Sequence, residues 1–128
     1  MSKSAQLKST IQTTNDSLAL IIDSIQDTKG SNITQLDLRQ LDDAPADFFI
    51  ICEGNSTTQV QAIADRIERR LKTELGERPR HVEGTRNAQW ICLDYFDTIV
   101  HVFHPELRQF YDLEDLWSDA EVTQYQTL

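Results

Sequence analysis

Two runs rich in aromatic and β-branched residues meet at two aspartates in the stretch Trp90-Ile-Cys-Leu-Asp-Tyr-Phe-Asp-Thr-Ile-Val-His-Val-Phe103. Aromatic and β-branched residues favour a pleated strand, and aspartates favour a turn. We therefore predict two neighbouring antiparallel strands, residues 89–95 and 98–103, that meet at an acidic corner, residues 94–97.

The two predicted strands sort their side chains onto opposite faces, because successive residues of a strand alternate. On the first strand Ile91, Leu93 and Tyr95 point one way, and Trp90, Cys92 and Asp94 the other. On the second strand Ile99, His101 and Phe103 share a face. A purely apolar strand needs neither Asp nor His, so the faces carrying Asp94 and His101 are candidates for function. The alternative is a hydrogen-bonded histidine in a half-buried sheet.

The composition favours one acidic domain. The chain has 128 residues and a net charge of −9, which argues against binding nucleic acid through its phosphates. Residues 106–121 are strongly acidic, with Arg108 as their one basic residue. Such a run either forms a solvated face or meets a basic protein partner.

The two cysteines, Cys52 and Cys92, lie in apolar strand-like segments. Since we find no signal peptide and no apolar stretch long enough to cross a bilayer, we expect a cytoplasmic protein with free thiols and no membrane contact. The cysteine spacing fits no zinc signature, and His101 and His104 do not converge on a metal. We expect no metal, no cofactor and no catalytic residues.

The first helix is predicted from Leu18, Ile21, Ile22 and Ile25, which recur at helical spacing. Residues 14–16 are good N-caps, the helix should end near Thr28, and residues 1–14 are expected to be a flexible segment. Further strands are predicted at residues 33–38, 47–53 and 81–84, and residues 47–53 should be central because they are apolar throughout their middle.

The second helix follows the junction Gly54-Asn-Ser56. Ser56 and Gln59 form a capping box, a helical apolar face runs to Leu75, and Gly76 ends the helix. A helix N-terminus of this kind can attract an anion, but the junction lacks the spacing of a phosphate-binding loop.

These elements predict an α/β fold: a mixed sheet of about five strands with the two long helices on one face. The other face should be partly covered by the C-terminal segment, which leaves a surface for a partner. We expect one domain over residues 15–118, followed by a loose C-terminal tail over residues 119–128.

Four stretches together resemble the Iojap family, the ribosomal silencing factors. They begin at Asp47-Phe-Phe-Ile-Ile-Cys-Glu-Gly-Asn-Ser56, Gln59-Val-Gln-Ala-Ile-Ala64, Glu83-Gly84 and Trp90-Ile-Cys-Leu-Asp-Tyr95, and the last continues through Trp117. The resemblance implies a nucleotidyltransferase-like topology without enzymatic activity. It also implies a translational repressor that binds the large ribosomal subunit through ribosomal protein L-fourteen and blocks joining of the small subunit, with a role in large-subunit biogenesis and in starvation.

The resemblance also suggests which residues bind the partner: Trp90, Asp94, Tyr95, His101, Tyr111, Glu114 and Trp117. The chain departs from the family at Phe96, where a glycine is usual, at Thr58, where a basic residue is common, and at Glu53, where a small residue is usual. A homodimer is a further expectation, and sequence-specific binding of nucleic acid is not expected.

The competing interpretation is a nucleotidyltransferase-type enzyme, which needs paired carboxylates on one strand to hold Mg²⁺. Asp94 and Asp97 are three residues apart, so on an extended strand they face opposite ways. This spacing favours the binding protein.

Overall fold

The computed structural model describes residues 3–128, with side chains from residue 15 onward. The helices are α1 (Lys3–Asp27), α2 (Thr57–Arg70), α3 (Pro105–Tyr111) and α4 (Leu113–Leu116), and a π-helical turn (Leu71–Leu75) continues α2. The strands are β1 (Ser31–Asp37), β2 (Phe48–Glu53), β3 (His81–Glu83), β4 (Trp90–Asp94), β5 (Thr98–Phe103) and β6 (Glu121–Tyr125).

The strands form one six-stranded mixed sheet in the order β3-β4-β5-β2-β1-β6. β2 and β5 are parallel, and the other four neighbouring pairs are antiparallel. The predicted antiparallel pair is confirmed as β4 and β5, with Trp90 opposite Phe103 and Cys92 opposite His101. β2 is central, and all of its residues except Glu53 are buried.

The sheet has one strand more than predicted, because the tail expected to be loose contains β6. This strand pairs with β1 from Asp37↔Glu121 to Ile33↔Tyr125, and the Tyr125 hydroxyl donates to Gln35 Oε1 at 3.0 Å. Its side chains are exposed except for the half-buried Tyr125. The expectation of a loose tail was wrong here because backbone pairing with β1 holds the segment, whose own sequence shows no alternating apolar pattern.

Both long helices pack on the same face of the sheet, as predicted. Their buried residues, among them Ile21, Ile25, Ile63 and Ile67, meet Ile50, Cys52, Ile91, Leu93, Val100 and Val102 of the strands. Complete burial of each large aliphatic side chain contributes about 1.5–3 kcal/mol, so this layer supplies most of the apolar stabilisation.

α1 begins at Lys3, well before the predicted N-caps at residues 14–16. The prediction was wrong because residues 3–13 lack the apolar periodicity that marks the rest of the helix. The flexible segment predicted over residues 1–14 lies outside the described side chains and stays a prediction.

The start and the end of α2 agree with the sequence. Ser56 Oγ accepts the Gln59 N–H at 3.1 Å, and Gln59 Oε1 accepts the Asn55 N–H at 2.6 Å. Gln59 Nε2 also donates to the Lys29 carbonyl at 3.0 Å, which ties α2 to the end of α1. Gly76 ends the π-helical turn at φ +68°. The junction therefore uses hydrogen-bonding groups that would otherwise attract an anion.

The second face of the sheet carries its own core of Leu36, Leu38, Phe49, Ile51, Ile99, Phe103 and Leu113. α3 and α4 cover part of it, as predicted. Burial raises the pKa of Cys52 to about 12 and that of Cys92 to about 11, so both free thiols stay protonated at neutral pH.

Candidate partner-binding face

The second face of the sheet brings together six ring-bearing residues, which we call the aromatic face: Phe49, Trp90, His101, Phe103, Tyr111 and Trp117. Strand alternation places Trp90, His101 and Phe103 on this side, and α3 and α4 add Tyr111 and Trp117. Four of the predicted site residues thus meet in one cluster.

Trp90 is the centre of the aromatic face. Its ring stacks on Phe103 at 4.8 Å between centroids and contacts Tyr111 at 4.7 Å. Its Nε1–H donates to His101 Nδ1 at 3.1 Å. Trp90 is half-buried, so it links the core below to the exposed Tyr111 above.

His101 is 6% exposed and lies against Phe49 at 4.6 Å, edge to face. Burial lowers its pKa to about 4, so the ring is neutral at neutral pH. Because Nδ1 accepts the Trp90 N–H, the proton of the neutral ring lies on Nε2, which has no hydrogen-bond partner among the described residues. His101 therefore supports Trp90 from below and is no surface contact.

The exposed apolar side chains at the edge of the aromatic face lie on α3 and α4. Tyr111 is 48% exposed, and beside it Phe110 is 78% exposed, with their rings 5.1 Å apart. Leu116 of α4 is 69% exposed, whereas Trp117 is half-buried against Phe49. An exposed aromatic pair such as Phe110 and Tyr111 is typical of a protein interface.

Glu114 belongs to a buried polar network centred on Arg108. Arg108 donates to Glu114 at 2.7 Å, to Glu53 at 2.9 Å and to Thr34 Oγ1 at 3.1 Å, and it also contacts the Asn32 carbonyl. Its side chain is 13% exposed and that of Glu53 is 12% exposed. The network links α3 and α4 to β1 and β2.

Asp94 lies at the other end of β4, in the predicted acidic corner. Its carboxylate accepts the Phe96 N–H at 2.9 Å and pairs with Arg80 at 2.9 Å. Burial acts to raise the pKa of Asp94, but the Phe96 N–H and the Arg80 guanidinium outweigh it and hold the pKa below its ordinary value. Asp94 therefore shapes the corner, and it is separate from the aromatic face.

Tyr95 faces the helices, in agreement with the alternation of β4, and packs against the helix-side core. Burial, with Glu68 and Glu77 nearby, raises the pKa of its hydroxyl. The structure thus separates Tyr95 from the other predicted site residues.

Sequence reasoning did not single out three residues of α3 and α4 as candidates: Arg108, Phe110 and Leu116. Arg108 stood out in the sequence as the single basic residue of an acidic run. Its partner Glu53 could not be inferred because it is 55 residues away. Phe110 and Leu116 carried no pattern that separates an exposed apolar residue from a buried one.

Among the residues whose side chains are described, no group of three or more His, Cys, Asp or Glu is arranged to hold a metal ion. In the described part of the chain, no helix combines the length and the apolar character needed to cross a bilayer.

Comparison with known proteins identifies the family. The model of the family described as "Ribosomal silencing factor during starvation" matches residues 11–128. A ribosomal silencing factor of Halalkalibacterium halodurans is 40% identical over 103 residues, which cover 80% of this chain and 86% of that protein. The mouse protein named for mitochondrial assembly of the ribosomal large subunit is 31% identical over 74 residues, 56% of this chain and 32% of that protein.

A solved structure agrees with these matches. The crystal structure of a Chromobacterium violaceum protein has a TM-score of 0.76 at 34% identity and covers 81% of this chain and 85% of that one. Since the family model spans nearly the whole sequence and the fold agrees, the chain belongs to the ribosomal silencing factor family.

Proposed function

We propose that this protein is a cytoplasmic translational repressor that binds the large ribosomal subunit through ribosomal protein L-fourteen and so blocks joining of the small subunit. Family membership supports a ribosome-associated role. The observation that carries the proposal is the exposed edge of the aromatic face, formed by Phe110 and Tyr111 of α3, beside an acidic segment in which Leu116 is also exposed.

The exposed edge has the composition of an interface hot spot. Tyr111 rests on Trp90, so its ring is pre-positioned by a half-buried residue. Binding energy in protein interfaces concentrates on such supported aromatic anchors. Burial of Phe110 and Tyr111 by a partner also costs little conformational entropy, because short, rigid aromatic side chains have few rotamers to lose.

The acidic side chains around this edge favour a basic partner. Asp112, Asp115 and Asp119 are exposed, and Glu114 is the acidic residue of this segment that pairs with Arg108. Opposite charges speed encounter and align the partners before the aromatic contacts form.

A role in assembly of the large subunit is the second candidate. The mouse relative is named for assembly of the mitochondrial large subunit. Both roles use the same binding event, and they differ in whether the loss of the protein changes precursor particles or the joining of mature subunits.

The enzyme alternative receives less support. The relatives are named as silencing factors, which points to regulation. Asp94 is already engaged by Arg80 and by a backbone N–H, and it has no second carboxylate facing it on β4. We therefore propose a binding role without catalysis.

The test is the affinity of the protein for purified large subunits. The double variant Phe110→Ala with Tyr111→Ala should bind at least about thirtyfold more weakly, the effect of losing one interface hot spot. Its melting temperature should change little because both side chains are exposed. Gln61→Ala, exposed on α2 at the helix layer, is the matched control and should bind normally. Normal binding by the double variant would rule out the aromatic edge as the interface.

A further inference from the structure

The turn between β4 and β5 holds an exposed aromatic residue in an unfavourable backbone conformation. Phe96 has φ +78° and is 65% exposed. A bulky L-residue is disfavoured in the left-handed region, and an exposed ring recovers little of that cost by burial. Glycine would adopt the same backbone without strain. Burial in the core therefore does not account for the side chain.

Phe96 lines a groove of about 350 Å³ between its own turn and the connection from β1 to β2. The apolar part of the lining consists of Leu38, Leu41, Ala44, Pro45 and Ala46. Three carboxylates, Asp42, Asp47 and Asp97, and one guanidinium, Arg39, complete it. Arg39 is engaged with Asp37 at 2.7 Å, so the groove has an excess of negative charge.

The two walls of the groove are fastened together. The Asp97 carbonyl accepts the N–H groups of Asp47 at 2.8 Å and Phe48 at 3.1 Å. The Leu38 N–H donates to the Asp47 carbonyl at 2.8 Å, which closes the base of the connection. The groove is therefore formed before a partner binds, so that binding loses little conformational entropy in its walls.

The Phe96 ring already shows the chemistry that it favours. The guanidinium of Arg80 lies over it, 4.7 Å from the ring centroid. An arginine from another molecule would lay its aliphatic stem on the apolar lining and bring its guanidinium to the ring and the carboxylates. Phosphate groups would be repelled by the same carboxylates, which disfavours nucleic acid as the occupant.

We propose that this groove receives an arginine side chain of a basic protein partner, and that Phe96 is the residue that gives the groove its specificity for arginine. The identity of the partner as a ribosomal protein rests on the proposed function, whereas the chemistry rests on the groove. Trp90 begins β4, and the groove lies past the other end of this strand. A partner bound to the aromatic face would therefore make its second contact at the groove.

Three variants separate the contributions of the ring. Phe96→Gly removes the side chain and the strain, so it should melt at the same or a higher temperature and yet bind large subunits about tenfold more weakly. Phe96→Leu keeps apolar bulk and strain without the ring quadrupole and should be similarly weak. Phe96→Tyr should bind within about twofold of the parent because the ring face is kept. Equal affinity in all four proteins would overturn the proposal.

A second experiment tests arginine binding in the groove without the ribosome. A hexa-arginine peptide is titrated into isotopically labelled protein, and amide shifts are followed by NMR. Shifts at Ala44, Asp47 and Asp97 that are lost in Phe96→Gly would support the groove even if the parent fails to bind large subunits, an outcome that refutes only the proposed function. Shifts confined to residues 106–121, or unchanged in Phe96→Gly, would overturn the inference.

Discussion

Burial keeps His101 neutral, and this lowers the stability of the folded protein at acidic pH. In the folded protein the pKa of the ring is about 4, against an ordinary value of 6.5. Between these values the unfolded chain binds a proton that the folded chain does not, so the free energy of unfolding falls as the pH drops from 6.5 through 4. Full protonation would also break the Trp90–His101 hydrogen bond, because both ring nitrogens would then be donors.

Replacement of His101 should remove this part of the acid sensitivity. His101→Asn keeps an acceptor for Trp90 and does not titrate. We expect the parent to lose about 3 kcal/mol more than the variant between pH 7 and pH 4, from the difference between the two pKa values. Urea unfolding of both proteins at each pH measures this. Parallel pH profiles would contradict the buried, neutral histidine.

Gly84 is the residue that lets the chain pass close to Trp90. A Cβ at this position would come within 1.9 Å of the Trp90 carbonyl oxygen, and the residue has φ +89°. Gly84→Ala should therefore lower the free energy of unfolding by about 2 kcal/mol or more. Gly76→Ala is the control, since Gly76 has φ +68° but nothing within 4 Å of a Cβ. It should lose only about 1 kcal/mol, and an equal loss in both would mean that the close approach is unimportant.

Single residues show where sequence reasoning succeeds and where it stops. Alternation along β4 and β5 correctly separated Trp90 from Tyr95 and grouped His101 with Phe103, because side-chain direction is local. The left-handed conformation of Phe96 was not predictable from its own type, since phenylalanine disfavours it. The surrounding hydrogen bonds of the corner, from Asp94 and Thr98, impose it.

At the scale of the elements, the positions of α3 and α4 on the sheet depend on one residue, Arg108. Arg108 of α3 pairs with Glu114 of α4 and with Glu53 of β2, and it donates to Thr34 of β1. These helices are short, so their own hydrogen bonds do not hold them in place. The position of Tyr111 on Trp90 is thus set by an ion-pair network on the neighbouring strands.

Arg108→Met should loosen this unit. The variant keeps the aliphatic stem but leaves Glu53 nearly buried without its partner, so we expect a loss of about 2–4 kcal/mol in the free energy of unfolding. Glu53→Gln added to Arg108→Met should recover part of it. Arg39→Met, which breaks an ion pair whose arginine is 58% exposed, is the control and should change stability by less than about 1 kcal/mol. Denaturant unfolding and hydrogen exchange of residues 105–116 give the readout, and full protection there in Arg108→Met would contradict the role.

The elements themselves differ in how far the sequence predicted them. α2 was predicted from its cap, its apolar stripe and Gly76, all of which are local signals. β6 was missed because its place at the edge of β1 depends on long-range backbone pairing. The Arg108 network was missed for the same reason, since its members are distant in the chain.

The whole molecule has two unlike faces. One face of the sheet is closed by α1 and α2. The other carries the aromatic face and its exposed edge, partly covered by α3 and α4. With a net charge of −9, the molecule would approach a basic surface readily and a nucleic-acid backbone poorly. The expected homodimer stays a prediction, and a dimer that buried the aromatic edge would compete with the proposed partner.

The central claim is that occupation of the large subunit by this protein prevents the small subunit from joining. Purified large subunits are saturated with the protein, small subunits are added, and association is followed by light scattering. We expect the scattering increase to be suppressed by the parent protein and restored when the Phe110→Ala and Tyr111→Ala double variant replaces it at the same concentration. Undiminished association with the large subunit fully occupied by the parent protein would contradict the account.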